Sequence, residues 1–168
     1  YSSGSITLDK VTNVLFVGIG GQGVLKASDV LARAAFLSGF DVKKSEIHGM
    51  SQRGGGVTST VRFGAKVYSP LAPTHGIDCL VAFDTVEGEK YLQELAPGAK
   101  ALFIDGPLLE KVSNPRFANI ALLGRMSQAL DITAEIWEKA ISLEVPERFV
   151  QANVEAFRLG RNLEGAKQ

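Results

Sequence analysis

Four glycines follow an apolar segment near the start of the chain and could form an anion-binding turn. Asn13 is followed by four apolar residues, 14–17. Gly18, Gly20 and Gly23 then fit the spacing G-x-G-x-x-G, and Gly21 is a fourth glycine. A strand that turns into a helix leaves unpaired N–H groups at the helix start, and glycines let a phosphate approach them. The same glycines also let a helix pack closely on a sheet, so a ligand-binding and a packing role are both open.

A dinucleotide-binding role would need one more residue. In such folds an acid about 20 residues after the glycines binds the ribose hydroxyls. The predicted second strand covers residues 41–47, with Asp41 at its start and Glu46 at its end. Only Glu46 is in position, so the dinucleotide pattern is incomplete.

The polar, glycine-rich segment of residues 48–56 is the second place where chemistry could occur. Arg53 precedes three glycines, and a guanidinium beside exposed amides can bind a phosphate or carboxylate through two hydrogen bonds. The alternative is that Arg53 pairs with a carboxylate and only fixes the loop. His48 and Ser51 lie three residues apart without a third group, which favours a structural role for His48 over acid–base catalysis.

Two acids and one cysteine complete the chemically interesting residues. Asp84 and Asp105 each end an apolar segment, where they could bind a metal or cap the following helix. Cys79 is the one cysteine and lies in an apolar run, so we expect a small buried side chain. One thiol cannot hold an iron–sulfur cluster or form an internal disulfide. Walker A, H-E-x-x-H and G-x-S-x-G motifs are absent from the sequence, so a complete enzyme is not expected.

Composition narrows the class of protein. The 168 residues carry 18 Lys plus Arg and 18 Asp plus Glu, so the formal net charge is zero. This balance predicts no bulk attraction to nucleic acid or to an anionic membrane. The sequence contains no apolar run of transmembrane length and no signal-peptide core, which predicts a cytoplasmic protein. Residues 1–10 are interpreted as a flexible leader.

Strand and helix patterns alternate along the chain and must position these residues. A helix is predicted over residues 23–38, and residues 57–63 alternate as a strand. Gly64-Ala65 fits a two-residue turn, so residues 66–68 are predicted to return beside that strand as a β-hairpin that replaces a helical crossover.

The second half follows the same alternation. We predict a strand over 79–83, a helix over 85–95 stopped by Pro97-Gly98, a strand over 100–106, and helices from residue 133 and over 150–159, the last closed by Gly160. Residues 119–123 fit either a strand or a helix start, and Trp137 is assigned to the core or an interface. The fold class is therefore α/β: a Rossmann-like open, mostly parallel sheet with helices on both faces and an inserted β-hairpin. Ligands of such sheets bind beyond the carboxyl ends of the strands.

Several motifs together resemble the gamma subunit or domain of the 2-oxoacid:ferredoxin oxidoreductases, including the indolepyruvate ferredoxin oxidoreductase beta subunits. The run H-G-M-S-Q-R-G-G at residues 48–55 is far more specific than the glycine turn. The likeness covers most of residues 12–160, so residues 11–168 are interpreted as one gamma-type domain. The remaining matching segments are residues 17–23, 45–47, 61–64, 68–70, 119–124 and 153–160.

The resemblance implies a non-catalytic subunit of a complex that converts a 2-oxo acid, such as indolepyruvate or pyruvate, to an acyl-coenzyme A and reduces ferredoxin. Thiamine diphosphate, Mg²⁺ and the 4Fe–4S clusters would belong to partner subunits, coenzyme A would bind at a shared site, and a homodimer is compatible with this. The site residues would face either the coenzyme A phosphates or the partner: Gly18, Gly20, Gly21, Gln22, Gly23, His48, Ser51, Gln52, Arg53, Gly54 and Gly55. The alternatives are a free-standing NAD(P)-binding oxidoreductase and a purely structural interaction module.

One segment departs from the family pattern. After a turn like Pro97-Gly98, members usually have another strand, a proline-containing loop and a helix before the strand that corresponds to residues 102–105. Here Gly98 and Lys100 are almost adjacent. The resemblance implies either a shortened member or a segment absent from this sequence, and we favour the second.

Overall fold

A five-stranded open sheet in the order β2-β3-β1-β4-β5 forms the centre of the protein. The computed structural model describes residues 10–48 and 55–163, without the His48 side chain. The strands are β1 Thr12–Ile19, β2 Asp41–His48, β3 Gly56–Gly64, β4 Ile77–Ala82 and β5 Leu95–Phe103. The helices are α1 Val24–Leu37, α2 Thr85–Glu89, α3 Gly106–Lys111, α4 Ala118–Ser127, α5 Ala134–Glu144 and α6 Val150–Asn162.

The pairing pattern confirms the predicted fold class. Strand β4 pairs in parallel with both β1 and β5, whereas β3 is antiparallel to both β1 and β2. Four strands therefore point the same way, and β3 alone is reversed. The pair β2–β3 takes the place of a helical crossover and brings the carboxyl end of β2 back to the end of β1.

The predicted hairpin partner of β3 is wrong. Residues 66–68 form no strand, and the Val67 N–H instead donates to Asp41 Oδ2 at 2.8 Å. The physical reason is that β3 has no vacant edge. From Val57 to Phe63 it is paired with β1 on one side and with β2 on the other.

Boundaries around Pro97 also differ from the prediction. Helix α2 ends at Glu89, and β5 begins at Leu95 and continues through Pro97 and Gly98 instead of starting at residue 100. Proline is tolerated at position 97 because β5 is an edge strand. Its pairing with β4 is also irregular between the Ile77 and Cys79 positions, so the N–H that Pro97 lacks breaks no hydrogen bond between the strands. A segment absent between Gly98 and Lys100 stays a prediction.

Helices cover one face of the sheet and bury the larger of its two cores. Helices α1, α4, α5 and α6 enclose the larger core, in which Trp137 is fully buried with its ring 5.4 Å from that of Phe157. This confirms the core assignment of Trp137, and residues 119–123 are helical. Helix α6 continues past Gly160, which is therefore not its terminator: a Cβ there would overlap the Ala121 carbonyl, so this glycine lets α6 approach α4.

The other face has a thinner cover. Leu15, Val17, Ile77 and Leu80 form a smaller core beneath the 65–76 loop and the α2 region. Arg62 fixes that loop through hydrogen bonds from its guanidinium to the Ser69 and Leu71 carbonyls and to Asn13 Oδ1. Helix α2 packs on the same face through Gly88, which leaves no room for a Cβ beside Phe103. Helices therefore lie on both faces, as predicted, but unequally.

Candidate functional site

The glycine turn joins β1 to α1 at the carboxyl edge of the sheet. Gly21 and Gly23 have φ values of 93° and 79°, a left-handed conformation that favours glycine. Gly23 is the N-cap of α1 and supplies no side-chain acceptor. The first N–H groups of α1 consequently have no partner within the helix, and the positive end of its dipole points towards the turn.

Two of the glycines have a demonstrable packing role. A Cβ at Gly18 would lie 2.7 Å from Val24 Cγ2, and one at Gly23 would overlap the Asn119 amide. Gln22 braces the turn from inside, because its Oε1 accepts the Ile19 N–H at 2.8 Å. Packing therefore explains Gly18 and Gly23, whereas the space beside Gly21 is open.

A pocket of about 290 Å³ opens above the turn. Gly20, Gly21 and Gly23 line it, together with the first residues of α1 and Val57 of β3. Lys26 also lines it, and its Nζ donates to the Glu144 carbonyl at 2.8 Å. A pocket with main-chain N–H groups, a helix start and one cation suits an anionic ligand.

The two glycine-rich segments meet at the end of β1. The Gly20 N–H donates to the Gly55 carbonyl at 3.1 Å, and the register aligns His48, Val57 and Gly18 across three strands. This confirms that both segments reach the same rim of the sheet. The predicted site residues Ser51, Gln52, Arg53 and Gly54, and the side chain of His48, lie outside the described residues.

The acids at the strand ends are helix caps. Asp84 Oδ2 accepts the Glu87 N–H at 3.0 Å, and Asp105 Oδ1 accepts the Leu108 N–H at 2.9 Å. Partial burial opposes the charged form of Asp105, but the Leu108 N–H and the Arg125 guanidinium outweigh it and lower its pKa below the ordinary value. Within residues 10–48 and 55–163 no cluster of three His, Cys, Asp or Glu could hold a metal ion.

Glu46 and Cys79 also have defined environments. The Glu46 carboxylate pairs with Lys44, which also contacts Asp29 of α1. Burial lowers the pKa of Lys44, but these two carboxylates outweigh it and raise that pKa above its ordinary value. Cys79 is buried, which raises the pKa of its thiol to about 12, so it is a neutral core side chain as predicted.

Comparison with known proteins identifies the family. The family model for pyruvate ferredoxin/flavodoxin oxidoreductase matches residues 13–108 and 106–163. The chain belongs to this family. Indolepyruvate oxidoreductase subunit IorB of Pyrococcus horikoshii is 30% identical over 191 residues, covering 90% of this chain and 95% of that protein. 2-Oxoglutarate synthase subunit KorC of Archaeoglobus fulgidus is 28% identical, covering 91% and 88%.

Solved structures support the same assignment. The keto/oxoacid ferredoxin oxidoreductase gamma subunit of Geobacter sulfurreducens is 28% identical with a TM-score of 0.68, over 89% of this chain and 96% of that one. A 2-oxoglutarate:ferredoxin oxidoreductase from Magnetococcus marinus, with 2-oxoglutarate, coenzyme A and succinyl-CoA bound, has a TM-score of 0.79. At 19% identity over 91% of this chain and 31% of that one, it supports the fold alone. The predicted family resemblance is confirmed.

Sequence reasoning missed two residues of this candidate site. Lys26 lines the pocket, but α1 was predicted from its apolar face, which gives no signal for a cation. Asn119 Nδ2 donates to the Gly23 carbonyl at 3.2 Å across 96 residues of sequence. Only the family-like segment 119–124 indicated that this region mattered.

Proposed function

We propose that this chain is a non-catalytic, gamma-type subunit of a 2-oxoacid:ferredoxin oxidoreductase. The complex would decarboxylate a 2-oxo acid oxidatively, release CO₂ and an acyl-coenzyme A, and pass two electrons to ferredoxin. Iron–sulfur clusters would reside in the partner, because one cysteine cannot ligate a cluster. Thiamine diphosphate and Mg²⁺ would reside there as well. Indolepyruvate is our preferred substrate, since several relatives carry that name.

The observation that carries this proposal is the meeting of the two glycine-rich segments at Gly20 and Gly55. It brings unpaired N–H groups of the turn and of α1 to one edge beside a pocket. Coenzyme A carries several phosphate charges, which such groups bind well. In this proposal the rim holds coenzyme A and presents it to the partner's reacting centre.

An exposed apolar surface supports packing against a partner. Ile47 and Leu71 are 66% and 68% exposed and lie on the thinly covered side of the sheet. Tyr68, in the loop that covers this side, is 87% exposed. A groove of about 370 Å³ on this side is lined by Ile47 and Leu71, among others. Grouped exposed apolar side chains are typical of protein interfaces. We assign this surface to the thiamine-binding, iron–sulfur subunit.

A pair of variants tests coenzyme A binding in the assembled complex. Gly21 has φ of 93° and open space around it, so a side chain there meets no atom but strains the backbone. Asp and Asn are among the residues that adopt positive φ most often, and this strain is similar in both variants. Gly21→Asp places a negative charge at the pocket mouth, so we expect the KM for coenzyme A to rise about tenfold with kcat almost unchanged. Gly21→Asn has nearly the same shape without the charge and is the control. Equal KM values for the two variants would remove the glycine turn from the coenzyme A site.

A further inference from the structure

The groove of about 370 Å³ on the thinly covered side of the sheet has a polar floor. Three hydroxyl side chains line it there, Ser45 from β2 and Thr58 and Thr60 from β3. The strand register places Ser45 beside Thr60, so the three hydroxyls form one contiguous cluster. The walls are residues 70–74 of the loop and the segment that follows α2. We call this site the Thr58 groove.

Thr58 has an unsatisfied hydroxyl in the floor of the groove. Its side chain is only 9% exposed, yet the hydroxyl has no hydrogen-bond partner in the part of the chain that the structure describes. The half-buried Ser45 and Thr60 also lack side-chain hydrogen bonds to described residues. Valine has the same shape as threonine, and β3 has Val57 and Val61 on its helix-covered face. Packing alone therefore does not explain the threonines, and a polar binding partner does.

The charges of the groove favour a neutral partner. Its lining includes one cation, Lys90, and one carboxylate, Glu94, and Lys90 is already paired with Glu87 at 2.7 Å. A hydroxyl can both donate and accept, and the peptide group is a neutral unit that offers one donor and one acceptor. The exposed apolar side chains of Ile47 and Leu71 lie beside the hydroxyls. A polypeptide segment that carries an apolar side chain complements both parts of the groove.

The hydroxyl cluster favours an extended segment over a helix. In a helix the main-chain N–H and C=O groups bond to each other, so a docked helix would offer the hydroxyls only its side chains. An extended segment leaves these groups available for hydrogen bonds. Thr58 and Thr60 are two residues apart on one strand, a distance of about 7 Å, which is also the repeat of an extended chain. A segment that runs beside β3 can therefore meet both hydroxyls.

We propose that the Thr58 groove binds an extended segment of the thiamine-binding, iron–sulfur subunit. This inference rests on the proposed function, because it names what that partner places on the surface already assigned to it. Main-chain groups of the segment form hydrogen bonds with the hydroxyls of Thr58 and Thr60. One apolar side chain of the segment packs between Ile47 and Leu71.

Removal of one hydroxyl separates recognition from folding. Thr58→Val keeps the shape of the side chain and removes a buried unpaired hydroxyl, so the melting temperature of the chain should stay the same or rise. Assembly with the catalytic subunit, measured by titration, should weaken about five- to tenfold, because a hydrogen bond across the interface is lost.

Ser59→Ala is the matched control for this variant. Ser59 is the next residue of β3, and its hydroxyl is also buried without a partner among the described residues, but it lies on the helix-covered face. Its removal should change assembly less than about twofold. If Thr58→Val lowers the melting temperature, Thr60→Val provides the same comparison at a half-buried position.

A photoreactive side chain identifies the occupant. Thr74 lies at the rim of the groove and is exposed, so p-benzoylphenylalanine at this position should cross-link to one segment of the catalytic subunit in the assembled complex. Mass spectrometry of the cross-linked peptide then identifies the segment. Its main-chain amides should be protected from hydrogen exchange in the complex, and less protected when the complex contains Thr58→Val.

Three results would overturn the inference: equal effects of the threonine variants and Ser59→Ala on assembly, a cross-link to a second copy of this chain, or no cross-link to any polypeptide. Failure of the groove is distinct from failure of the proposed function. If the unmodified chain assembles with the catalytic subunit but the threonine variants assemble equally well, only the groove is reassigned. If the unmodified chain does not assemble with that subunit, both proposals fall.

Discussion

The two faces of the sheet are built differently. Helices α1, α4, α5 and α6 seal one face, where Trp137, Phe16 and Phe157 have no exposed surface. A loop and the short helix α2 cover the other, where Ile47, Tyr68 and Leu71 remain exposed. Full burial of a large apolar side chain contributes about 1.5–3 kcal/mol. The helix face therefore supplies most of the folding free energy, and the loop face keeps the exposed apolar surface that we assign to association with a partner.

Among variants that test this difference, Trp137→Ala on the helix face should have the largest effect. We expect a loss of about 3–5 kcal/mol in the free energy of unfolding, measured by urea denaturation. The loss arises from packing alone, because the indole N–H has no hydrogen-bond partner among the described residues. Leu143→Ala, at an exposed position on the same helix, should change stability by less than about 0.5 kcal/mol. Similar losses of unfolding free energy for Trp137→Ala and Leu143→Ala would contradict the view that burial on the helix face stabilises the fold.

Gly160→Ala tests the close approach of α6 to α4. Alanine is favoured over glycine by about 1 kcal/mol in an exposed helix. Here its Cβ would overlap the Ala121 carbonyl, so the helices must separate. We expect a net loss of about 1–3 kcal/mol in thermal or urea unfolding. A gain in stability, as helix propensity alone predicts, would show that this contact is loose.

Asp105 gives a smaller, pH-dependent effect. Its folded-state pKa is lowered, so its stabilising contribution is present above the unfolded pKa and is lost as pH falls through the lower folded value. Asp105→Asn keeps a capping oxygen but removes the negative charge that pairs with Arg125. Because the side chain is 44% exposed, we expect a loss below about 1 kcal/mol at pH 7. Unfolding curves measured from pH 7 to 3 should converge at acid pH, and a constant difference would contradict the charge effect.

The smallest effect on folding is expected on the loop face. In the double variant Ile47→Ser with Tyr68→Ser, each substitution should change the free energy of unfolding by no more than about 0.5 kcal/mol, because both side chains are exposed. The same variant should weaken assembly with the catalytic subunit at least about tenfold, as measured by co-purification and titration. The control is Leu143→Ser with Phe36→Ser, which removes a similar pair from the helix side. Equal assembly of both variants would remove the loop face from the interface.

Local patterns predicted the first part of the fold well. The apolar strand, the glycine turn and α1 were placed to within one or two residues, because each is encoded by neighbouring residues. The predicted partner of β3 was wrong because strand pairing depends on which segment lies beside β3 in the folded protein. Here β2 occupies that edge and excludes residues 66–68. The end of α2 was overestimated because β5 tolerates Pro97 and Gly98 at its irregular start.

The site was predictable only where a motif marked it. The spacing of Gly18, Gly20 and Gly23 indicated the turn, and strand direction brought Gly55 to the same rim. Asn119 reaches the glycine turn through packing of α4 against α1, and no short-range pattern carries that information. The described helices include none that is long and apolar enough to cross a membrane. Cytoplasmic location and the 1–10 leader stay predictions.

Arg62 fastens the 65–76 loop by donating to carbonyl oxygens of the backbone. Every amino acid supplies such an oxygen, so the residues at positions 69 and 71 can change during evolution while the anchor is kept. The side chains of this loop can thus be exchanged while its attachment to the sheet and the helix-covered core are left intact.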